Sequence, residues 1–158
     1  MKKYLICLMA IVVIISTIGC GSAKLELTNE DYNLSDNTTS KGITIGSSSD
    51  DFMNAYHGSI VDVWYADDNS NTAKEIKVNE VDYTKQSHIG LHTFFIDDKA
   101  IDVENFKNKN NITSDLNSWL ENNTEYLQKH KIIFKCLVFT FDDGVITNIQ
   151  KSEKDFNK

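Results

Sequence analysis

The side chains best equipped for chemistry in this 158-residue chain are three acid pairs, two spaced histidines and a cysteine in an apolar run. Asp67-Asp68, Asp97-Asp98 and Asp142-Asp143 could together offer oxygen ligands to a hard cation such as calcium. All three fall where turns are expected, and at turns Asp is favoured for bonding its own backbone. Asp67-x-Asn69-x-Asn71 opens like an EF-hand loop, but Thr72 replaces the glycine and Val78 stands where the bidentate Glu belongs, so the loop is rejected. His88 and His92 have the i, i+4 spacing of a zinc helix, yet they lie in the strand-like stretch His88 to Phe95. On a strand their rings would stand about 13 Å apart, at about 3.3 Å per residue, too far to share one metal. Cys136 lies in Ile132-Ile133-Phe134-Lys135-Cys136-Leu137-Val138-Phe139, the setting of a buried small hydrophobe rather than of an exposed, electropositive nucleophile. No Gly-x-Ser-x-Gly elbow, phosphate-cradling glycine loop or His-Glu-x-x-His motif occurs. The expectation is a chain with no catalytic residues, no metal site and no bound cofactor.

Two aromatic pairs remain, Trp64-Tyr65 and Phe94-Phe95. Neighbours on a strand point to opposite faces, so either one ring of each pair faces solvent or both are buried under helices. Exposed, the four residues would form the best partner-binding surface available, because aromatics anchor interfaces.

The elements that must position these residues follow from periodicity. Gly42 to Gly46 is extended, and Ser47-Ser48-Ser49-Asp50-Asp51 starts a helix with a serine cap and first-turn acids. Phe52, Ala55 and Tyr56 share its apolar face, and Gly58 stops it. Ile60 to Tyr65 reads as a strand, Glu75 to Tyr83 as a weaker one, and Ile89 to Ile96 and Ala100 to Phe106 as a hairpin about Asp97-Asp98-Lys99. Leu116, Trp119, Leu120 and Leu127 define a second helix from about Ser114 to Lys129. If Trp119 lies in the core, Trp119→Ala costs about 3–5 kcal/mol. Asp143-Gly144 is the strongest turn signal, since a type I′ turn needs positive φ at both central positions. The fold class expected is α+β: an antiparallel meander with two helices packed on one face.

The beginning of the chain gives its address. Lys2 and Lys3 precede an apolar run from Tyr4 to Ile18 that closes on Gly19-Cys20. These are the charged, apolar and small-residue parts of a secretory signal. The run is short for a membrane-spanning helix, which needs about 20 apolar residues. The stretch resembles the bacterial lipoprotein signal, and the resemblance implies cleavage before Cys20 and a diacylglycerol thioether on Cys20. Two acyl chains, at about 0.8 kcal/mol per buried CH₂, hold where one is marginal. The resemblance implies a protein anchored to the membrane on its extracytoplasmic side. Four regions are expected: a signal peptide over 1–19, lipidated Cys20 and a flexible tether over 20–41, a small α+β domain over 42–151, and a polar tail over 152–158. About 20 flexible residues span roughly 25 Å.

Composition narrows the partners. Residues 1–19 carry Lys2 and Lys3 and no acid, so fourteen of the 16 basic residues remain against 23 acids after cleavage, a net charge of −9. Such a surface is repelled by nucleic acid and by anionic headgroups. Every basic residue is lysine, so bidentate guanidinium recognition of phosphate or carboxylate is excluded. Once Cys7 leaves with the signal and Cys20 takes the lipid, Cys136 stands alone, and no internal disulfide can form.

Ile43-Thr44-Ile45-Gly46-Ser47 through Tyr56-His57-Gly58, with Phe139-Thr140-Phe141-Asp142-Asp143-Gly144-Val145 near the end, resembles the BLIP-like module. That helix-plus-sheet unit is shared by β-lactamase inhibitor proteins and SmpA/OmlA-type envelope lipoproteins. The resemblance implies a fold rather than an activity; the role expected is that of a non-enzymatic binding or scaffolding domain, for which another envelope protein would be a partner. A small cell-envelope hydrolase with a non-obvious site is the alternative.

Overall fold

The computed structural model of the chain describes residues 27–68 and 72–158. The leader, Cys20 and residues 69–71 of the rejected calcium loop lie outside the described residues. The fold is α+β, with six antiparallel strands: β1 (Ile60–Tyr65), β2 (Lys74–Lys77), β3 (Ser87–Ile96), β4 (Lys99–Ala100), β5 (Ile132–Asp142) and β6 (Val145–Asp155). Five helices accompany them among the described residues: α1 (Asn29–Tyr32), α2 (Ser49–Ala55), α3 (Val103–Lys109), α4 (Leu116–Glu121) and α5 (Thr124–Lys129).

The strand order is β2-β1-β3-β5-β6, with β4 on β3. This departs from a meander. β2 folds back on the outer edge of β1, and the chain then crosses to place β3 on β1's other edge. The crossing segment buries Val78, Val81 and Tyr83, so it contributes to the core while it changes sides.

Helices cover both faces of the sheet rather than one. The reason is the apolar content of β3 and β5, which reads on both faces as it does in doubly covered sheets. One face carries Val61, Val63, Ile89, Leu91, Leu137, Phe139 and Phe141 and receives Phe52 of α2 and Tyr56 at its C-cap. The opposite face carries Trp64, Phe94, Ile132, Phe134, Cys136 and Val138 and receives Leu116 and Leu120 of α4. The cross-strand register, Ile89 opposite Phe139 and Phe94 opposite Phe134, keeps the two sets apart. Two separate cores result.

Several boundaries move. The flexible tether was expected to run to Lys41, but residues from Leu27 onward pack on the sheet. Leu27, Asp31, Tyr32 and Thr39 are all buried, and the Asp31 carboxylate accepts from Ser40 Oγ at 2.6 Å. Too few apolar residues at too irregular a spacing announce this segment. Ala100–Phe106 is not a strand: after two residues of β4, Asp102 caps α3 by accepting from the Asn105 N–H at 2.9 Å. The helix expected over 114–129 is two helices. Asn122 caps the first through Nδ2 to Ser118 O at 2.7 Å, and Asn123 starts the second by accepting from the Tyr126 N–H at 3.2 Å. Adjacent asparagines compete for backbone partners and end a helix that apolar spacing would continue. The polar tail placed at 152–158 begins inside β6, which runs to Asp155.

Trp119 is only half-buried, at the rim of an aromatic group with Phe106 and Tyr126 at centroid distances of 6.3 and 5.1 Å. The core positions of α4 are Leu116 and Leu120, each 1% exposed. Trp119→Ala therefore costs less than the full core value of about 3–5 kcal/mol.

The capped α2 forms as expected. Ser48 Oγ accepts from the Asp51 N–H at 3.1 Å while Asp51 Oδ2 accepts from the Ser48 N–H at 3.2 Å, a reciprocal capping box. The Asp143-Gly144 turn has φ of 46° and 73°, and Asp97-Asp98 repeats the pattern at 50° and 63°.

Candidate functional site

The aromatic pairs do not form an exposed surface. Trp64, Phe94 and Phe95 are buried, and Tyr65 is half-buried with its hydroxyl accepting from the Asp82 N–H at 3.0 Å. Lys135 Nζ stands 4.7 Å from the Phe95 ring centroid, closing the side on which that ring would meet solvent. Because both faces of the sheet are covered, neither member of a pair is left outside.

The acid pairs hold turns and lysines. Asp67 pairs with Lys85 at 3.2 Å and Asp68 with Lys74 at 2.6 Å. Asp97 accepts from Lys131 N–H at 2.9 Å and meets His130 Nδ1 at 2.7 Å, and the His130 bond keeps the Asp97 carboxyl below its usual range. No group of three or more His, Cys, Asp or Glu side chains stands in metal-holding geometry among the described residues.

The helix-covered face of α4 holds a different constellation, built by strand register. Across β1, β3 and β5 it shows Trp64, His88 and Thr140 in one row, and Asp62, Gly90 and Val138 in the next. His92 and Cys136 are paired in the third. Asp62 Oδ2 lies 3.1 Å from His92 Nδ1, with both side chains near 5% exposed. The contact is electrostatic rather than an aligned hydrogen bond, since Nδ1 has no partner of hydrogen-bonding geometry. Glu75 stands opposite Asp62 on β2, and its carboxyl is pushed up by desolvation, then by Asp62, with His92 opposing. Gly90 makes the room: a Cβ there would come within 3.3 Å of Trp64, 3.6 Å of Asp62 Cβ and 3.6 Å of Cys136 Sγ. A side chain at 90 would press on the indole, while its contacts with Asp62 and Cys136 would be ordinary van der Waals ones.

Acid, imidazole and thiol on neighbouring strands resemble the parts of a cysteine-nucleophile site, but the physical state of the thiol differs. Cys136 is fully buried, and desolvation, aided by Asp62, raises its pKa well above the ordinary thiol value. A nucleophilic thiol needs the reverse, a lowered pKa and an open approach. The sequence carries a signal for this cluster that its apolar pattern hides. Asp62 and His92 are ionisable residues inside strands buried on both faces, positions that stay polar only with a partner.

His88 lies at the open end of the same face, half-buried, its Nδ1 3.0 Å from Thr140 Oγ1. Burial lowers its pKa below the ordinary imidazole value. Stability from this group is thus fully present above its unfolded value near pH 6.5 and falls as pH drops through that value towards the lower folded one. The melting temperature should decline between about pH 7.5 and 5 more steeply in the native protein than in His88→Gln. Equal slopes would show that the ring is not the group titrating.

One open depression of about 430 Å³ lies at the start of α2, lined by Lys41, Ile43, Ser47, Asp51 and Asn54 among others. Its carboxylate already serves the capping box, which keeps the Asp51 pKa below the ordinary value. Its other polar groups are also engaged: Ser47 Oγ accepts from the Thr44 N–H at 3.0 Å, and Lys41 Nζ lies 4.7 Å from the Tyr56 ring centroid. Among the described residues, no helix is long and apolar enough to cross a membrane. Compared with known proteins, the chain matches no family model, no curated protein and no solved structure.

Proposed function

We propose that the chain is a lipid-anchored extracytoplasmic protein of the cell envelope, whose folded domain is a non-enzymatic binding or scaffolding module of BLIP-like type. The observation that carries this reading is in the sequence: Lys2-Lys3, the apolar run to Ile18, and Gly19-Cys20. The module assignment draws support from the way the opening motif meets the closing hairpin. Ser49 N–H donates to Gly144 O at 2.8 Å, and Ser48 bridges Val145. The non-enzymatic reading draws support from the enclosed, raised thiol of Cys136.

The Cys20→Ala protein should incorporate no labelled acyl chain and remain as uncleaved precursor. Labelled lipid on that variant would sink the anchor.

The hydrolase alternative has one observation in its favour, the row that brings Asp62, His92 and Cys136 together. Alkylation of the folded protein separates the two readings. A core thiol reacts only as the protein unfolds, whereas a catalytic thiol reacts in the native state, faster than a free cysteine.

A further inference from the structure

The sheet has one long edge that the described residues leave open. β6 pairs β5 along one side, and its first residues are closed on the other side by Gly46 and Ser47, which bond Ile146 at 2.8 and 3.0 Å. Past the irregularity at Thr140/Phe141 the backbone alternation shifts by one. Phe156 N–H points back to Ile132 O, so even-numbered residues of β6 face β5. Ile149, Lys151, Glu153 and Asp155 therefore turn their N–H and C=O groups outward. None of these outward groups has a backbone partner among the described residues. An uncovered edge of this length pairs with another strand unless its side chains forbid it.

We propose that this edge takes a second copy of the same chain, joining two sheets antiparallel through β6. Hydrogen-bonding geometry allows only registers that oppose outward residues to one another, and charge selects among them. Pairing about Lys151 sets lysine against lysine, and pairing about Glu153 opposes Lys151 to Asp155 twice but sets glutamate against glutamate at its centre. Pairing about Lys154 opposes Glu153 to Asp155. Pairing about Gln150 opposes Ile149 to Lys151 and gains no ion pair. Pairing about Ser152 sets Lys151 against Glu153 of the second copy, twice by symmetry, with Gln150 opposite Lys154 and no like charges opposed. Lys151 and Glu153 are both exposed, and their contacts within the chain are loose ones to Tyr32: Lys151 Nζ stands 5.1 Å from its ring centroid and Glu153 Oε2 accepts from its hydroxyl at 3.5 Å. On a lone edge these lysines would discourage pairing; here the acid two residues on answers them.

The test is charge reversal in the full chain, purified in a non-ionic detergent and followed by sedimentation. The native chain should dimerise at high micromolar concentration. Lys151→Glu and Glu153→Lys should each weaken the dimer at least about tenfold, because each turns both opposite pairs into like pairs. The combined Lys151→Glu/Glu153→Lys chain should recover the native affinity to within about twofold. Thr147→Glu, which adds a negative charge outside the paired stretch, should leave the dimer intact. A native chain that stays monomeric overturns the proposal. So does a dimer indifferent to the single reversals, as association through the apolar leader would be, or one that the combined reversal fails to restore. If Thr147→Glu weakens the dimer as much, net charge and not register governs, and the proposal falls. Unchanged melting temperatures in each variant tie the result to association rather than folding.

Discussion

Phe52→Ala should remove about 3–5 kcal/mol of the domain's stability, a large fraction of the total. Phe52 is completely buried, and its ring lies 4.9 Å from Tyr56, 4.9 Å from Phe139, 5.2 Å from Phe141 and 6.3 Å from Tyr83, centroid to centroid. Most of these contacts are edge-on or tilted, the arrangement that gains from the ring quadrupoles as well as from burial. Truncation removes that area and leaves a cavity with walls of rigid rings that collapse poorly, so the cost is about 3–5 kcal/mol. A domain of this size is stable by about 5–15 kcal/mol in total. The helix involved has only seven residues and cannot persist without its packing. Denaturant unfolding of the two proteins checks this, and a midpoint within experimental error of the native one would show that α2 is not what closes this face of the sheet.

Asp62→Ala has an effect of similar size for a different reason. The lost group is small, but its carboxyl oxygen stands 3.1 Å from His92 Nδ1 in a layer from which water is excluded. Removing one member of a buried pair costs about 3–5 kcal/mol, since the survivor keeps its desolvation penalty and loses its compensation. His92→Phe in the Asp62→Ala background should recover part of that loss, because the stranded imidazole is gone. Strictly additive single and double variants would show that the two side chains do not interact. Asp62→Asn keeps the volume and a polar contact and should cost less than Asp62→Ala. The same experiment bears on function. If Asp62 and His92 serve chemistry, their loss removes an activity; if they serve the fold, they change only stability.

Residues 60–65 show why part of this arrangement was legible in the chain. Ile60-Val61-Asp62-Val63-Trp64-Tyr65 announces a strand through its β-branched and aromatic content, and β1 occupies those six residues. A serine cap within Ser47-Ser48-Ser49 followed by Asp50 and Asp51 announced a capped helix, and Asp143-Gly144 a type I′ turn, because each is decided within a few residues. The same locality explains the misreadings. Apolar spacing over 114–129 suggested one helix, whereas the capping chemistry of Asn122 and Asn123 makes two. A polar stretch around Asn33-Leu34-Ser35 looked like tether, although Leu27 and Tyr32 on its near side reach a core built by residues a hundred positions away.

Sequence by itself determined the α+β class, the strand at 60–65, the capped helix at 49–55 and the closing hairpin, together with the composition that leaves arginine out of any site. These rest on local propensity and on hydrogen bonds between near neighbours. Only the tertiary structure decided that helices lie on both faces, that β2 folds outside β1, and that Asp62 meets His92 beside Cys136. It also buried Trp64, Phe94 and Phe95 and half-buried Tyr65, the four aromatics that the sequence leaves free to be a surface. The physical reason is that strand order and register are set by pairings between distant segments. One step of register exchanges the two faces of a strand, and no local pattern records which neighbour a strand will take.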